Sequence, residues 1–158
     1  DMFLQIFFFV TNLMGWWRWA NPKPEEKDNK RELKVTFMKR RQFILLSIGG
    51  IGATFLIGML ASKLHDWFPY LFNLPSSFPY ADSFILVMSI ISTFLMIQKR
   101  IECWIIWIVI DIVAATLYFI KGAKFFSAEY LVFTFIAAFG LWNWIREYNS
   151  YEVSTDKS

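Results

Sequence analysis

The chain has 158 residues, of which 56% are hydrophobic and 20% aromatic. One small core cannot bury this much apolar surface, so the composition excludes an ordinary water-soluble domain and indicates a membrane protein. The formal net charge is +3, and the charges are gathered into loops rather than spread over a globular surface. A single membrane domain over residues 1–158 is therefore predicted.

Five runs are long enough to cross a hydrocarbon core of about 30 Å, which takes roughly 20 residues. In chain order they are 2–19, 41–63, 82–98, 101–120 and 125–146. Each is bounded by charge, proline or glycine, where helices stop. Because lipid leaves backbone groups without partners, the spans are predicted to be helices, and the fold class to be an all-α integral membrane protein.

The first span follows Asp1 directly, without the charged region and small-residue cleavage site of a signal peptide. We therefore expect a fragment of a longer protein, with further spans upstream of Asp1.

Lysine and arginine give the orientation. The 20–40 loop and the segments after the third and fifth spans carry most of them, whereas the opposite side has only Lys63, Lys121 and Lys124. By the positive-inside rule, the 20–40 loop and the C-terminus are cytoplasmic. The proline-rich 65–81 loop, with an aromatic belt, is then outside.

The first and last spans end alike. Gly-Trp-Trp-Arg-Trp at 15–19 and Gly-Leu-Trp-Asn-Trp at 140–144 match at glycine and both tryptophans. Since both spans run in the same direction, the match indicates a parallel repeat about an axis along the membrane normal. An aromatic belt at the membrane interface is the alternative reading.

Polar residues within the spans are the candidate functional residues, because burying them in lipid is costly. At about 100° per residue, one stripe of the fourth span holds Trp104, Trp107, Asp111 and Tyr118. Packing of the tryptophans and an interhelical hydrogen bond of Asp111 are the structural alternatives.

A second stripe lies on the first span, and a third polar face lies on the last. The first span places Gln5, Asn12, Trp16 and Trp19 together, and the last aligns Glu129 with Asn143. Aromatic faces stack on flat rings and attract cations, while amides and carboxylates bind amide or hydroxyl groups. A flat, cationic, hydroxylated solute fits this chemistry, and interhelical hydrogen bonding of Gln5 and Asn12 is the alternative.

The sequence lacks the residues that other kinds of functional site need. With His65 and Cys103 each the only one of its kind, no metal ligand set, cofactor site or nucleophile–base pair is indicated, so an enzyme is not expected. The 20–40 loop mixes acidic with basic residues, which argues against nucleic acid as a partner.

A family resemblance rests on three groups of residues. Within residues 98–111, Gln-Lys-Arg-Ile-Glu-Cys-Trp is followed by Ile-Ile-Trp and Asp111. The other two groups are Tyr118 with Lys121-Gly122 and the Gly-x-Trp-x-Trp ending of the last span. These residues resemble the PnuC family of vitamin transporters over essentially the whole chain. Cys103 departs from the small residue, such as serine, expected there.

The resemblance implies seven spans: two parallel three-helix repeats and a linking helix, similar to the SWEET sugar transporters. The 2–19 span is then the third helix, 41–63 the linker and the last three the second repeat, with two spans missing upstream. A homotrimer in the bacterial inner membrane is also implied.

The resemblance further implies facilitated diffusion of nicotinamide riboside, trapped by cytoplasmic phosphorylation. Trp142, with Trp104 or Trp107, is expected to hold the ring, and Asn143 with Asp111 the amide or hydroxyls. Relatives that carry thiamine or riboflavin leave the substrate open, and a structural or receptor-like bundle is the alternative to transport.

Overall fold

The structure is a computed structural model that describes residues 2–28, 31–67 and 78–155. Within these ranges the chain forms five α-helices and two isolated β-bridges, without an extended strand. The helices are α1 (Met2–Ala20), α2 (Arg40–Trp67), α3 (Pro79–Ile97), α4 (Glu102–Ile120) and α5 (Lys124–Thr155). Every predicted span therefore corresponds to a helix, which confirms the all-α fold class.

Four of the helices are long and apolar enough to cross a membrane: Arg40–Lys63, Pro79–Ile97, Glu102–Ile120 and Lys124–Tyr151. Among the described residues, helix α1 is not one of these four. Its crossing of the membrane stays a prediction.

Several helix ends differ from the sequence-based boundaries. Helix α2 continues to Trp67, so His65 lies in its last turns rather than in the predicted 65–81 loop. Helix α3 begins at Pro79, where the fixed φ of proline suits the first helical turn. The part of that loop at 68–77 lies outside the described residues.

Helix α3 is central to the packing, since α1, α2 and α4 all contact it, and α5 packs on α4. Met88, Leu95, Cys103, Ile106 and Ile110 form the core between α3 and α4. Large apolar side chains on the outer faces of α2 and α5 are exposed, as lipid contact requires.

Hydroxyl groups connect the neighbouring helices. Ser92 Oγ donates to the Cys103 carbonyl at 2.7 Å between α3 and α4, and Ser127 Oγ donates to the Ala115 carbonyl at 2.8 Å between α4 and α5. Such small polar contacts are typical of helix packing in membranes.

The turn between α4 and α5 confirms a predicted helix end. Gly122 has φ +77°, a left-handed conformation that glycine adopts without steric cost. The N–H groups of Gly122 and Ala123 donate to the carbonyls of Phe119 and Tyr118, which closes α4.

We call the end of the bundle that holds the 20–40 segment and the α3–α4 turn the basic end. Val35 is fully buried there, and the Thr36 backbone pairs with the turn through Thr36 N–H to the Lys99 carbonyl and Ile101 N–H to the Thr36 carbonyl, both 3.1 Å. Arg18 lies 2.7 Å from Glu26, and this hydrogen bond lowers the pKa of the Glu26 carboxyl below its ordinary value. The predicted loop is therefore packed against the helix ends.

Glu102 is a buried acid at the basic end. Its Oε1 accepts the Met38 N–H at 2.7 Å, which joins the start of α2 to the start of α4. Its Oε2 is buried and has no hydrogen-bond partner among the described residues.

We expect Glu102→Ala to lower the free energy of unfolding by about 2 kcal/mol, because a hydrogen bond to a charged group is lost and the Met38 N–H is left buried. Thermal unfolding in detergent measures the effect. Glu25→Ala, an exposed acid at the same end, is the matched control and should leave Tm unchanged. Equal Tm shifts in the two variants would contradict the prediction.

Candidate functional site

A large cavity lies between α3, α4 and α5, with one side chain from α1. Its volume is about 530 Å³, within the range of pockets that hold small molecules. No described residue of helix α2 lines it. The lining residues are Phe8, Ile85, Leu86, Ser89, Met96, Trp104, Trp107, Ile110, Asp111, Tyr118, Tyr130, Phe133, Ile136 and Ala137.

The predicted stripe of α4 forms one wall of this cavity. Trp104, Trp107, Asp111 and Tyr118 all line it, because spacings of three, four and seven residues keep side chains on one helix face. The structure thus brings together four of the nine residues that the sequence nominates for substrate binding.

Asp111 is the only charged residue among the described lining residues. The residue is 4% exposed, and within the described ranges its carboxylate forms neither a hydrogen bond nor an ion pair. An acid in this setting is available to a cation or to hydroxyl and amide donors. No group of three acidic, histidine or cysteine side chains converges within those ranges to hold a metal ion.

Two indole groups add unused hydrogen-bond donors to the same wall. The Nε1 atoms of Trp104 and Trp107 are both buried without a partner among the described residues. Buried donors normally have partners, so these two groups favour an acceptor that the described residues do not supply.

One end of the cavity is bounded by stacked tyrosines. The rings of Tyr118 and Tyr130 lie 5.5 Å apart between centroids and 8° from parallel. Nearby, Lys121 pairs with Asp82 at 3.1 Å, which joins the end of α4 to the start of α3.

A chain of three tryptophans lies at the basic end. Trp104 meets Trp144 edge-on at 5.3 Å between centroids, and Trp144 meets Trp19 at 5.9 Å. The Trp19 indole N–H donates to the carbonyls of Met96 and Ile97 at 3.2 and 3.0 Å. These rings connect α4 and α5 to α1 and to the end of α3.

The predicted stripe of α1 lies elsewhere. Asn12 and Trp16 line a separate cavity of about 160 Å³ between α1 and α3, and Trp16 is 73% exposed. Gln5 is exposed and lines neither cavity. Their role in substrate binding stays a prediction.

The predicted residues near the end of α5 also lie outside the large cavity. Trp142 is 54% exposed, with the Arg146 guanidinium 5.7 Å from its ring centroid. Asn143 is half-buried and Glu129 is exposed, and neither lines the cavity. The structure does not bring these residues to the α4 wall, and their function stays a prediction.

Helix α5 supplies a different face to the cavity. Tyr130, Phe133 and Ala137 line it, and Gly140 and Trp144 continue this face toward the basic end. The alternating spacing of three and four residues from 130 to 144 is the signal that could have identified this face, but its apolar members resemble ordinary packing.

Together these features define a polytopic membrane protein whose helices enclose an aromatic cavity with one carboxylate. The sequence model of the nicotinamide mononucleotide transporter family matches residues 1–146, and the chain belongs to this family. The resemblance to PnuC proteins is thereby confirmed.

Two curated relatives are named as transporters of different solutes. The chain is 30% identical to the nicotinamide riboside transporter PnuC of Escherichia coli (strain K12), over 92% of this chain and 66% of that protein. It is 24% identical to the riboflavin/roseoflavin transporter RibM of Streptomyces davaonensis, over 89% of this chain and 61% of the relative. The chain thus spans somewhat less than two thirds of the length of these relatives.

A solved structure supports the fold. The crystal structure of the vitamin B3 transporter PnuC matches with a TM-score of 0.62 at 22% identity, over 92% of this chain and 61% of that one. At this identity the match concerns the fold, and it agrees with the helical architecture described above.

Proposed function

We propose that the chain transports nicotinamide riboside across the bacterial inner membrane by facilitated diffusion, with the large cavity as the substrate site. The single observation that carries the proposal is the α4 wall, where Asp111 and two unpartnered indole N–H groups line one aromatic cavity. Membership of a transporter family and similarity to proteins named as transporters favour this over an enzyme.

The chemistry of nicotinamide riboside matches this wall. Its pyridinium ring is flat and positively charged, so aromatic faces and a carboxylate attract it. Its carboxamide and ribose oxygens offer acceptors to the indole N–H groups of Trp104 and Trp107. We infer that Tyr118 stacks at the far end of the same solute.

The proposed architecture is that of the whole family, with two parallel three-helix repeats. Helix α1 closes the first repeat, α2 links the repeats, and α3 to α5 form the second. Rocking of one repeat against the other would expose the cavity to each side in turn. The basic end would face the cytoplasm, because lysines and arginines concentrate there.

Transport then needs no resident cofactor. Phosphorylation of the riboside in the cytoplasm would trap the product, since a charged phosphate does not recross a lipid bilayer unaided. From the resemblance to the family, we further propose that three copies of the chain form a homotrimer.

Riboflavin is the second candidate because of the similarity to RibM. Its ring system is flat but uncharged, so it would use the aromatic walls and not the charge of Asp111. Thiamine, another flat cation, is the third vitamin to compare.

Titration calorimetry of the purified full-length protein with nicotinamide riboside, thiamine and riboflavin tests the proposal. We expect binding of the riboside with the other two at least about tenfold weaker, a difference of about 1.4 kcal/mol. Uptake of labelled riboside into proteoliposomes, without an ion gradient, tests facilitated diffusion. Preference for riboflavin would show that riboflavin, and not nicotinamide riboside, is the substrate. Binding of none of the three would overturn the transport assignment.

A further inference from the structure

Gly140 brings the backbone of α5 close to the Trp104 ring in the cavity wall of α4. A Cβ atom built on Gly140 would lie 2.6 Å from Cη2 and 2.7 Å from both Cζ2 and Cζ3 of Trp104. Ordinary contacts between carbon atoms are about 3.5–4.0 Å. The six-membered ring of Trp104 therefore rests directly on the α5 backbone, in space that only glycine leaves open.

A second residue of α5 also contacts Trp104. Trp144, one turn beyond Gly140 on the same face of α5, meets the Trp104 ring edge-on at 5.3 Å. Trp144 in turn contacts Trp19, whose indole N–H is held by the end of α3. A methyl group at 140 would therefore displace the Trp104 ring, which lines the cavity and contacts this row of rings.

We propose that Gly140 is a positioning residue for solute binding: its missing side chain sets the depth and orientation of the Trp104 ring in the cavity wall. The inference rests on the proposed function, since it assigns the cavity to the solute. Gly140 itself does not line the cavity, so it acts only through Trp104.

The chain offers a matched control at Gly58. A Cβ there would lie 2.5 Å from Cδ1 of Tyr80, a collision with an aromatic ring of the same kind. Neither Gly58 nor Tyr80 lines the large cavity. Gly58→Ala therefore reports the general cost of overpacking two helices, without displacement of a cavity wall.

The experiment compares Gly140→Ala and Gly58→Ala by calorimetry with nicotinamide riboside and by thermal unfolding. We expect Gly140→Ala to weaken binding by about tenfold or more, because small displacements of a binding group have large effects. Gly58→Ala should lower Tm comparably and leave Kd within about twofold. Unchanged Kd in folded Gly140→Ala would overturn the proposal.

Trp104→Phe supplies the rescue test, because phenylalanine lacks the outer ring atoms that the new methyl group meets. In this background Gly140→Ala should cost little further affinity, which a double-mutant cycle measures. An undiminished penalty would show that Gly140 acts elsewhere. Should Gly140→Ala alone not fold, recovery of the fold by Trp104→Phe supports the contact, and failure to recover it overturns the proposal.

Fluorine NMR on protein labelled with 5-fluorotryptophan reads the ring position without any solute. Trp104→Phe assigns the Trp104 resonance, which should shift in Gly140→Ala and not in Gly58→Ala. If the wild-type protein binds no riboside, the proposed function fails on that result alone. An unshifted Trp104 resonance in Gly140→Ala would then overturn the positioning role separately.

Discussion

Replacement of Asp111 by asparagine is expected to weaken the binding of nicotinamide riboside by about 100-fold. Asp111 is the only charge among the described cavity-lining residues, and it is 4% exposed, so solvent screens it little. At an effective dielectric constant of about 20, a carboxylate and a pyridinium about 5 Å apart attract by about 3 kcal/mol. Asparagine keeps the shape and one acceptor oxygen, replaces the other oxygen with an NH2 donor, and removes the charge.

Two controls separate this charge effect from a loss of structure. Glu129→Gln removes an acid on α5 whose side chain does not line the cavity. This variant should leave the Kd for nicotinamide riboside within about twofold of the wild-type value. The reduced riboside, whose dihydropyridine ring is uncharged, should bind Asp111→Asn and wild type alike. Calorimetry on both variants, with Tm as the folding check, measures these differences. Equal affinity of wild type and Asp111→Asn for the oxidised riboside would contradict the prediction.

The helices could be predicted from the sequence because lipid imposes a simple rule on apolar length. The boundaries of α3 and α4 differ from the prediction by at most three residues, since Pro79, the 98–101 turn and Gly122 carry strong stop signals. The extension of α5 to Thr155 was not predicted, because its last turns are polar and leave the hydrophobic pattern. Local turn chemistry thus predicts ends better than hydropathy does.

The α4 wall of the cavity was predictable because polar residues within an apolar helix are rare, and helical spacing places them on one face. On α5 the same reasoning selected Asn143 and the repeated Gly-x-Trp-x-Trp motif, whereas the face toward the cavity carries Tyr130, Phe133 and Ala137. A single helix does not show which of its faces meets a neighbour. Only the packing of α5 on α4 provides that information.

A comparison of Trp107→Ala with Trp142→Ala tests whether the solute binds at the α4 wall of the cavity or at the end of α5. Trp107 lines the cavity, and its indole N–H has no partner among the described residues, whereas Trp142 is 54% exposed and does not line the cavity. We expect Trp107→Ala to weaken riboside binding by about 50-fold, from the loss of a large aromatic contact and its cation–π attraction. Trp142→Ala should change Kd by less than about threefold, as exposed substitutions do.

Trp107→Phe then separates the two contributions of the indole. Phenylalanine keeps an aromatic face for the pyridinium but has no N–H donor, so its Kd should lie between those of wild type and Trp107→Ala. If Kd in Trp107→Phe equals that of the alanine variant, the hydrogen bond dominates; if it equals that of wild type, stacking does. A large effect of Trp142→Ala together with none of Trp107→Ala would contradict the cavity as the binding site and move the site to the end of α5, where Trp142 and Asn143 lie.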